Sequence, residues 1–189
     1  MNISLSHYIP WVAAVWGTSE GMLMLLRRSA PGASHDRNSL RLIWLANTVG
    51  IAGAIFAVYK LQGWMLPLRV WVLLAALILF VAGVIIRVYS IVYLGKFFTT
   101  NVAITVDHKL IDTGPYKLIR HPAYTGAMMT FFGFGLFFCN AASLLFMIVP
   151  VYAAFLWRIH VEEQALLGAF GEKYKEYMKR TKRLVPWVY

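Results

Sequence analysis

The stretch that decides the fold is VWVLLAALILFVAGVII, Val70–Ile86, which holds no charged residue. The hydrocarbon core of a bilayer is about 30 Å thick and needs about 20 helical residues to cross it, with a range of roughly 17–25. Val70–Ile86 meets that requirement. Working outward, comparable apolar blocks lie at about Tyr8–Leu26, Leu42–Tyr59, Pro122–Phe138 and Ala141–Trp157. The last two are separated only by Cys139 and Asn140, so they are expected to form a tight antiparallel hairpin. The expected fold is all-α, a multi-pass membrane bundle of about five transmembrane helices with a small cytosolic C-terminal cap. An odd number of spans places the termini on opposite sides.

Composition supports this reading. Of 189 residues, 60% are hydrophobic and 14% charged, against roughly 45–50% and about 25% in an ordinary soluble domain. That excludes a disordered chain and argues against a water-soluble globule. A single cysteine, Cys139, excludes an intrachain disulfide framework and a thiolate metal cluster, and no metal site is expected. The formal net charge of +10 is mainly a topology signal. Every Lys and Arg except Lys60 and Arg69 falls in the 27–41 connection, the 87–121 stretch or the tail from Arg158. By the positive-inside bias those segments are cytoplasmic, so the N-terminus is expected outside and the C-terminus inside. The first block has no basic residue before it and no small-residue cleavage site, so it reads as a span, not a cleavable signal. No basic, aromatic-studded soluble domain is left to bind nucleic acid.

Ionisable groups at membrane depth are costly and need a partner or a job. Glu20 is the only acid inside a block, and either a structural pairing or a site role accounts for it. Arg87 closes the third block, where spacing alone favours snorkelling to the headgroups. Residues 88–98 then read as leaving the membrane while lying against it, and Thr99–Asp112 as an ordered cytosolic segment. Thr113-Gly-Pro-Tyr116 signals a turn. Pro122 suits the first helical position, with His121 as cap. The unpaired N–H groups there, with Arg120 and His121, either attract an anion or serve as an inner-leaflet anchor. Arg158 and Glu162, four apart, share a helical face. Leu166, Phe170, Tyr174 and Tyr177 recur at helical spacing, which predicts an amphipathic helix continuing past the span and packing on the cap or the membrane surface. Glu162 and Glu163 read as a solvated face or as part of a site, and their spacing alone identifies no reaction.

Together these segments resemble the integral-membrane methyltransferases of the isoprenylcysteine carboxyl methyltransferase and phospholipid methyltransferase group. The matching pattern is Gly83…Arg87, Leu94-Gly95…Phe98, His108-Lys-Leu110…Gly114-Pro-Tyr116, Arg120-His121-Pro122-Ala-Tyr124-Thr-Gly126, Arg158…Glu162-Glu163-Gln-Ala-Leu166, Phe170-Gly171…Tyr174…Tyr177 and Pro186. It covers roughly residue 80 to the end. The resemblance implies one membrane domain over 1–189, with 1–86 supplying N-terminal spans and 87–189 the cofactor-binding and catalytic part. It implies S-adenosylmethionine as methyl donor, membrane lipids as surroundings, and a lipophilic or prenylated acceptor arriving from the bilayer. Carried over by residue, His108, Leu110, Tyr116, His121 and Tyr124 are expected to line the cofactor pocket. Glu162 and Glu163 are expected to accept from the cofactor's amino or hydroxyl groups, and Gly126 to permit close helix approach. A carboxylate acceptor needs no general base, only a cation to orient it; the resemblance puts Arg87 there, with Arg158 as second candidate. Phospholipid ethanolamine N-methylation, an NADPH-dependent membrane sterol reductase with a similar Gly-Pro-Tyr and Arg-His-Pro arrangement, and a non-catalytic membrane protein are the alternatives.

Overall fold

The computed structural model describes residues 38–98 and 110–187 together with residue 17. Apart from residue 17, the first apolar block with Glu20 lies outside the described residues, as does the segment 99–109 and with it His108. All regular structure among the described residues is helical, as expected: α1 (Asn38–Lys60), α2 (Arg69–Leu94), α3 (Pro122–Leu136), α4 (Ala141–Phe170) and α5 (Glu172–Arg180). Short 3-10 turns at Gln62–Trp64, Gly95–Phe97 and Gly114–Lys117 join them.

Three of these helices, α1, α2 and α4, are long and apolar enough to cross a membrane. The fourth block falls short of that expectation. It yields a helix of 15 residues, only about 22 Å at 1.5 Å per residue. Instead of facing lipid, α3 is largely interior, with Ala123, Ala127, Phe131 and Phe134 buried. A turn at 137–140, with Cys139 at φ 48°, reverses the chain into α4 and completes the expected hairpin.

The third block also differs from its expected end, because α2 continues two turns beyond Arg87 to Leu94. Residues 88–94 contain neither Gly nor Pro, and Ser90 and Ile91 are buried against the cap. The helix stops where Gly95 takes φ 56°, a backbone shape that only glycine adopts cheaply.

Glycines set the spacing between helices. A Cβ on Gly83 would stand 2.6 Å from the Gly126 carbonyl oxygen, and one on Gly126 would stand 2.5 Å from the Arg87 backbone nitrogen. One on Gly133 would meet the Phe80 nitrogen at 2.6 Å. Thus α2 and α3 touch backbone to backbone, as small residues allow in membrane bundles. On the other side, α1 packs on α4. Gly50 sits against the Phe146 carbonyl oxygen, which Pro150 deprives of its usual partner. Phe131, Phe134, Met147, Val151 and Phe155 fill the centre. Trp71, Leu77, Ile78 and Ile85 on α2, with Val49 and Phe56 on α1, are exposed, as a lipid-facing surface requires.

The two ends of the bundle differ. At one, Asn140 caps α4 through Ser143 N at 3.0 Å and donates to Leu61 O at 2.9 Å. At the other lies the cap. There the amphipathic continuation is not one helix: Gly171, at φ 52°, ends α4 and redirects the chain into α5. Tyr174 and Tyr177 are thereby buried, so the expected stripe does pack on the cap. Residues 182–184 then return beside the start of α3, through Arg120 N to Lys182 O at 2.8 Å and His121 N to Arg183 O at 3.0 Å.

Candidate functional site

The site forms where α2, α3 and α4 reach the cap. His121 precedes α3 as its cap residue with Pro122 first in the helix, as the sequence indicates. The next residues carry the chemistry. Arg87 Nη1 donates to the Ala123 carbonyl at 3.3 Å, so α2 places a half-buried guanidinium on the first turn of α3. On the same turn the Tyr124 hydroxyl donates to Glu162 Oε2 at 2.7 Å. Arg158 Nε donates to that hydroxyl at 3.2 Å. Arg158 is 3% exposed and reaches Ser39 Oγ through Nη1 at 2.7 Å. A buried polar chain therefore runs from α1 through α4 to Tyr124 and Glu162.

Glu163 faces a different set of partners and is 2% exposed. Its Oε1 accepts from Arg120 Nε at 2.9 Å and lies 3.3 Å from His121 Nε2, and its Oε2 lies 2.8 Å from Arg183 Nη2. A buried carboxylate survives only with such pairing. Burial by itself would raise the Glu163 carboxyl; hydrogen bonds from His121, Arg183 and Arg120 outweigh it and lower it from 4.5 to about 2. Arg120 also donates through Nη1 to the carbonyls of Met178 and Thr181. The basic pair at the start of α3 is thus turned onto Glu163 and the tail.

Tyr116 lies on the 3-10 turn at Gly114–Lys117 and is buried between α2 and α5. Its hydroxyl donates to Ser90 O at 3.3 Å, and its carbonyl accepts from Tyr177 at 2.6 Å. Burial, with the Glu162 charge behind it, pushes its hydroxyl well above the ordinary phenol range. Leu110 is half-buried on the strand of chain leading to that turn. Arg87, Tyr124, Arg158 and Glu162 are therefore brought together, His121 and Glu163 form an adjoining ion-paired knot, and Tyr116 stands beside α2. His108 lies outside the described residues.

Sequence reasoning missed Ser39, Arg183 and Thr181. Arg183 and Thr181 sit in a tail whose cations read as a topology signal, and nothing local distinguishes them. Ser39 lies in a half of the chain read as contributing little beyond topology, ahead of the apolar block expected from Leu42, and nothing local marked it.

An all-helical bundle with a lipid-facing surface, carrying a cation and a tyrosine-bonded carboxylate at one end, defines an integral-membrane protein with a polar site where its spans terminate. Residues 76–168 match the isoprenylcysteine carboxyl methyltransferase family. It is similar to protein-S-isoprenylcysteine O-methyltransferase A of Arabidopsis thaliana, 36% identical over 120 residues, which are 62% of this chain and 61% of the relative. The Homo sapiens protein-S-isoprenylcysteine O-methyltransferase is 33% identical over 81 residues, 43% of this chain and 28% of its own. The chain thus spans 61% of the length of the Arabidopsis relatives it matches. The solved structure of a eukaryotic intramembrane Ras methyltransferase shares the fold, with a TM-score of 0.66 at 21% identity, covering 99% of this chain and 68% of that one.

Proposed function

We propose that this chain is an S-adenosylmethionine-dependent methyltransferase that esterifies the carboxylate of a lipophilic, isoprenylcysteine-like acceptor at the cytoplasmic membrane face. In this reading the N-terminus is outside and the cap inside. One observation carries it: a single helical turn of α3 has the Arg87 guanidinium on its Ala123 carbonyl and the Glu162 carboxylate on its Tyr124 hydroxyl. The names of the Arabidopsis and human relatives supply the reaction class.

The residues fit the cofactor's chemistry. An ammonium and a ribose diol call for a carboxylate acceptor, and adenine calls for aromatic and aliphatic walls. Glu162 is half-exposed and bonded by the Tyr124 hydroxyl, Tyr116 lies within reach of its charge, and Leu110 is half-buried on the chain leading to Tyr116. Glu162, Tyr124, Tyr116 and Leu110 would hold the cofactor, with His108 added from the intervening segment. Glu163 has both oxygens engaged, so its contribution is to fix the start of α3 and the tail that close the pocket, with His121.

When bound, the cofactor supplies a methyl group activated by its sulfonium. The chain's part is positioning and desolvation, which dominate when the leaving group is already good. Arg87 pairs with the acceptor carboxylate and points it at the pocket, a task suited to a planar two-pronged donor. Its place in α2, whose outer face meets lipid, lets an acceptor tail remain in the bilayer. Arg158, held by Ser39 and Tyr124, keeps Glu162 and Tyr124 in register. No side chain need remove a proton from a carboxylate acceptor.

Calorimetry on the purified protein tests the cofactor assignment. S-adenosylhomocysteine should bind and NADPH should not. Binding of NADPH alone would replace the methyltransferase reading with a reductase, and binding of neither would support a non-catalytic role.

A further inference from the structure

A cleft of about 300 Å³ opens between α5 and the C-terminal tail, away from the Arg87 and Tyr124 group. Arg120, Lys179, Arg180, Lys182 and Arg183 line it, and its wall contains no acidic side chain. Two acids face these cations from behind: Glu163 pairs with Arg120 and Arg183, and Asp112 with Arg180 at 3.0 Å. Five cations set against two acids leave a strong positive potential at the mouth, where Lys179 and Lys182 are exposed. Such a cleft recruits an anion.

The depth of the tail indicates which anion. The Leu184 carbonyl accepts from Thr125 Oγ1 at 2.8 Å, and Leu184 is part of the central apolar cluster. The tail therefore descends past the mouth of the cleft to the level of the first turn of α3. Just beyond, Val185 is 47% exposed and Trp187 86%, and Leu118 beside the tail is 58% exposed. An exposed tryptophan with an exposed aliphatic neighbour, following a basic cluster along the chain, is the arrangement of a membrane-interface anchor. A site for a free soluble anion would have no use for it.

We propose that this cleft binds the phosphate of an anionic phospholipid from the adjoining leaflet, with Lys179 and Lys182 on the headgroup and Trp187 and Val185 in the interface. Because Arg120 and Arg183 join the cleft to Glu163, a bound lipid also braces the tail against α3. The proposal holds whether or not the chain transfers methyl groups.

Native mass spectrometry of the full chain, released from nanodiscs of equal phosphatidylglycerol and phosphatidylcholine, tests it. The unaltered protein should retain phosphatidylglycerol preferentially. K179Q/K182Q should weaken that retention on the order of thirtyfold, from two lost cations at the surface, while K179R/K182R should keep it. Both lysines are exposed, so neither variant disturbs the core, and an unchanged helical circular dichroism spectrum checks this. Dioctanoyl phosphatidylglycerol should raise the Tm in detergent, and W187A should reduce that rise. Equal retention of the two lipids, retention unaffected by K179Q/K182Q, or an equal Tm rise with inorganic phosphate alone would each overturn the proposal.

Discussion

Arg158 and Ser39 meet through a 2.7 Å hydrogen bond from Nη1 to the serine hydroxyl, and both side chains are buried. This joins α1 to the Tyr124–Glu162 pair, although α1 lies outside the stretch that matches the family. Removing the Ser39 hydroxyl should leave the fold intact and let Arg158 drift. Ser39→Ala is expected to raise the KM for the methyl donor several-fold with a smaller change in kcat, and Ser39→Thr to restore it. Steady-state kinetics decide; an Ala variant indistinguishable from the unaltered protein would separate α1 from the site.

The two adjacent acids should behave differently. Glu163→Gln strips one charge from a buried knot with Arg120, His121 and Arg183, a class of change that costs about 3–5 kcal/mol. A large fall in Tm is expected. Glu162→Gln should fold normally and bind S-adenosylhomocysteine more weakly. Thermal melts and calorimetry on both variants test the assignment, which fails if their effects are exchanged.

Acid sensitivity follows from the same carboxylate. Glu163 is lowered from 4.5 to about 2 in the folded protein, so its stabilising effect is complete above about pH 4.5 and is lost as pH falls towards 2. The Tm in detergent should decline over that window. Glu163→Gln should flatten the decline, and a variant that keeps it in full would shift the cause to other groups.

At the α2–α3 contact, a methyl group on Gly126 would collide with the Arg87 backbone nitrogen at 2.5 Å and the Gly83 carbonyl at 2.6 Å. Neither backbone atom can rotate away. Gly126→Ala should cost roughly 1–3 kcal/mol and, by displacing Arg87, lower transfer more than cofactor affinity. Full activity in this variant would show that the helix separation does not position Arg87.

Much of this architecture was legible because membrane helices must satisfy their backbone internally and present apolar side chains to lipid. Val70–Ile86 and Ala141–Trp157 announced themselves by that requirement, and Pro122 marked its helix start by a missing N–H. The ends of helices were harder. Residues 88–94 look polar enough to leave the membrane, yet they continue α2 unbroken with Ser90 and Ile91 buried, and Gly171 breaks a stripe that reads as continuous. Pro122–Phe138 holds no charged residue because it is buried in protein, which composition does not distinguish from burial in lipid. In the site, Arg87, Arg158 and Glu162 were visible as charged residues at the ends of apolar blocks, and Tyr124 only through the family resemblance. That Glu162 faces Tyr124 while Glu163 faces three cations depends on which side of α4 each occupies relative to partners far along the chain.

The most direct test of the central claim is a labelled-methyl transfer assay with purified protein, S-adenosylmethionine, a farnesylcysteine analogue and total membrane lipids. The account predicts a base-labile methyl ester on the farnesylcysteine analogue. It also predicts that Arg87→Ala abolishes that product while S-adenosylhomocysteine affinity stays within a few-fold. Label appearing only in base-stable ethanolamine lipid, or Arg87→Ala forming the ester at an undiminished rate, would contradict it.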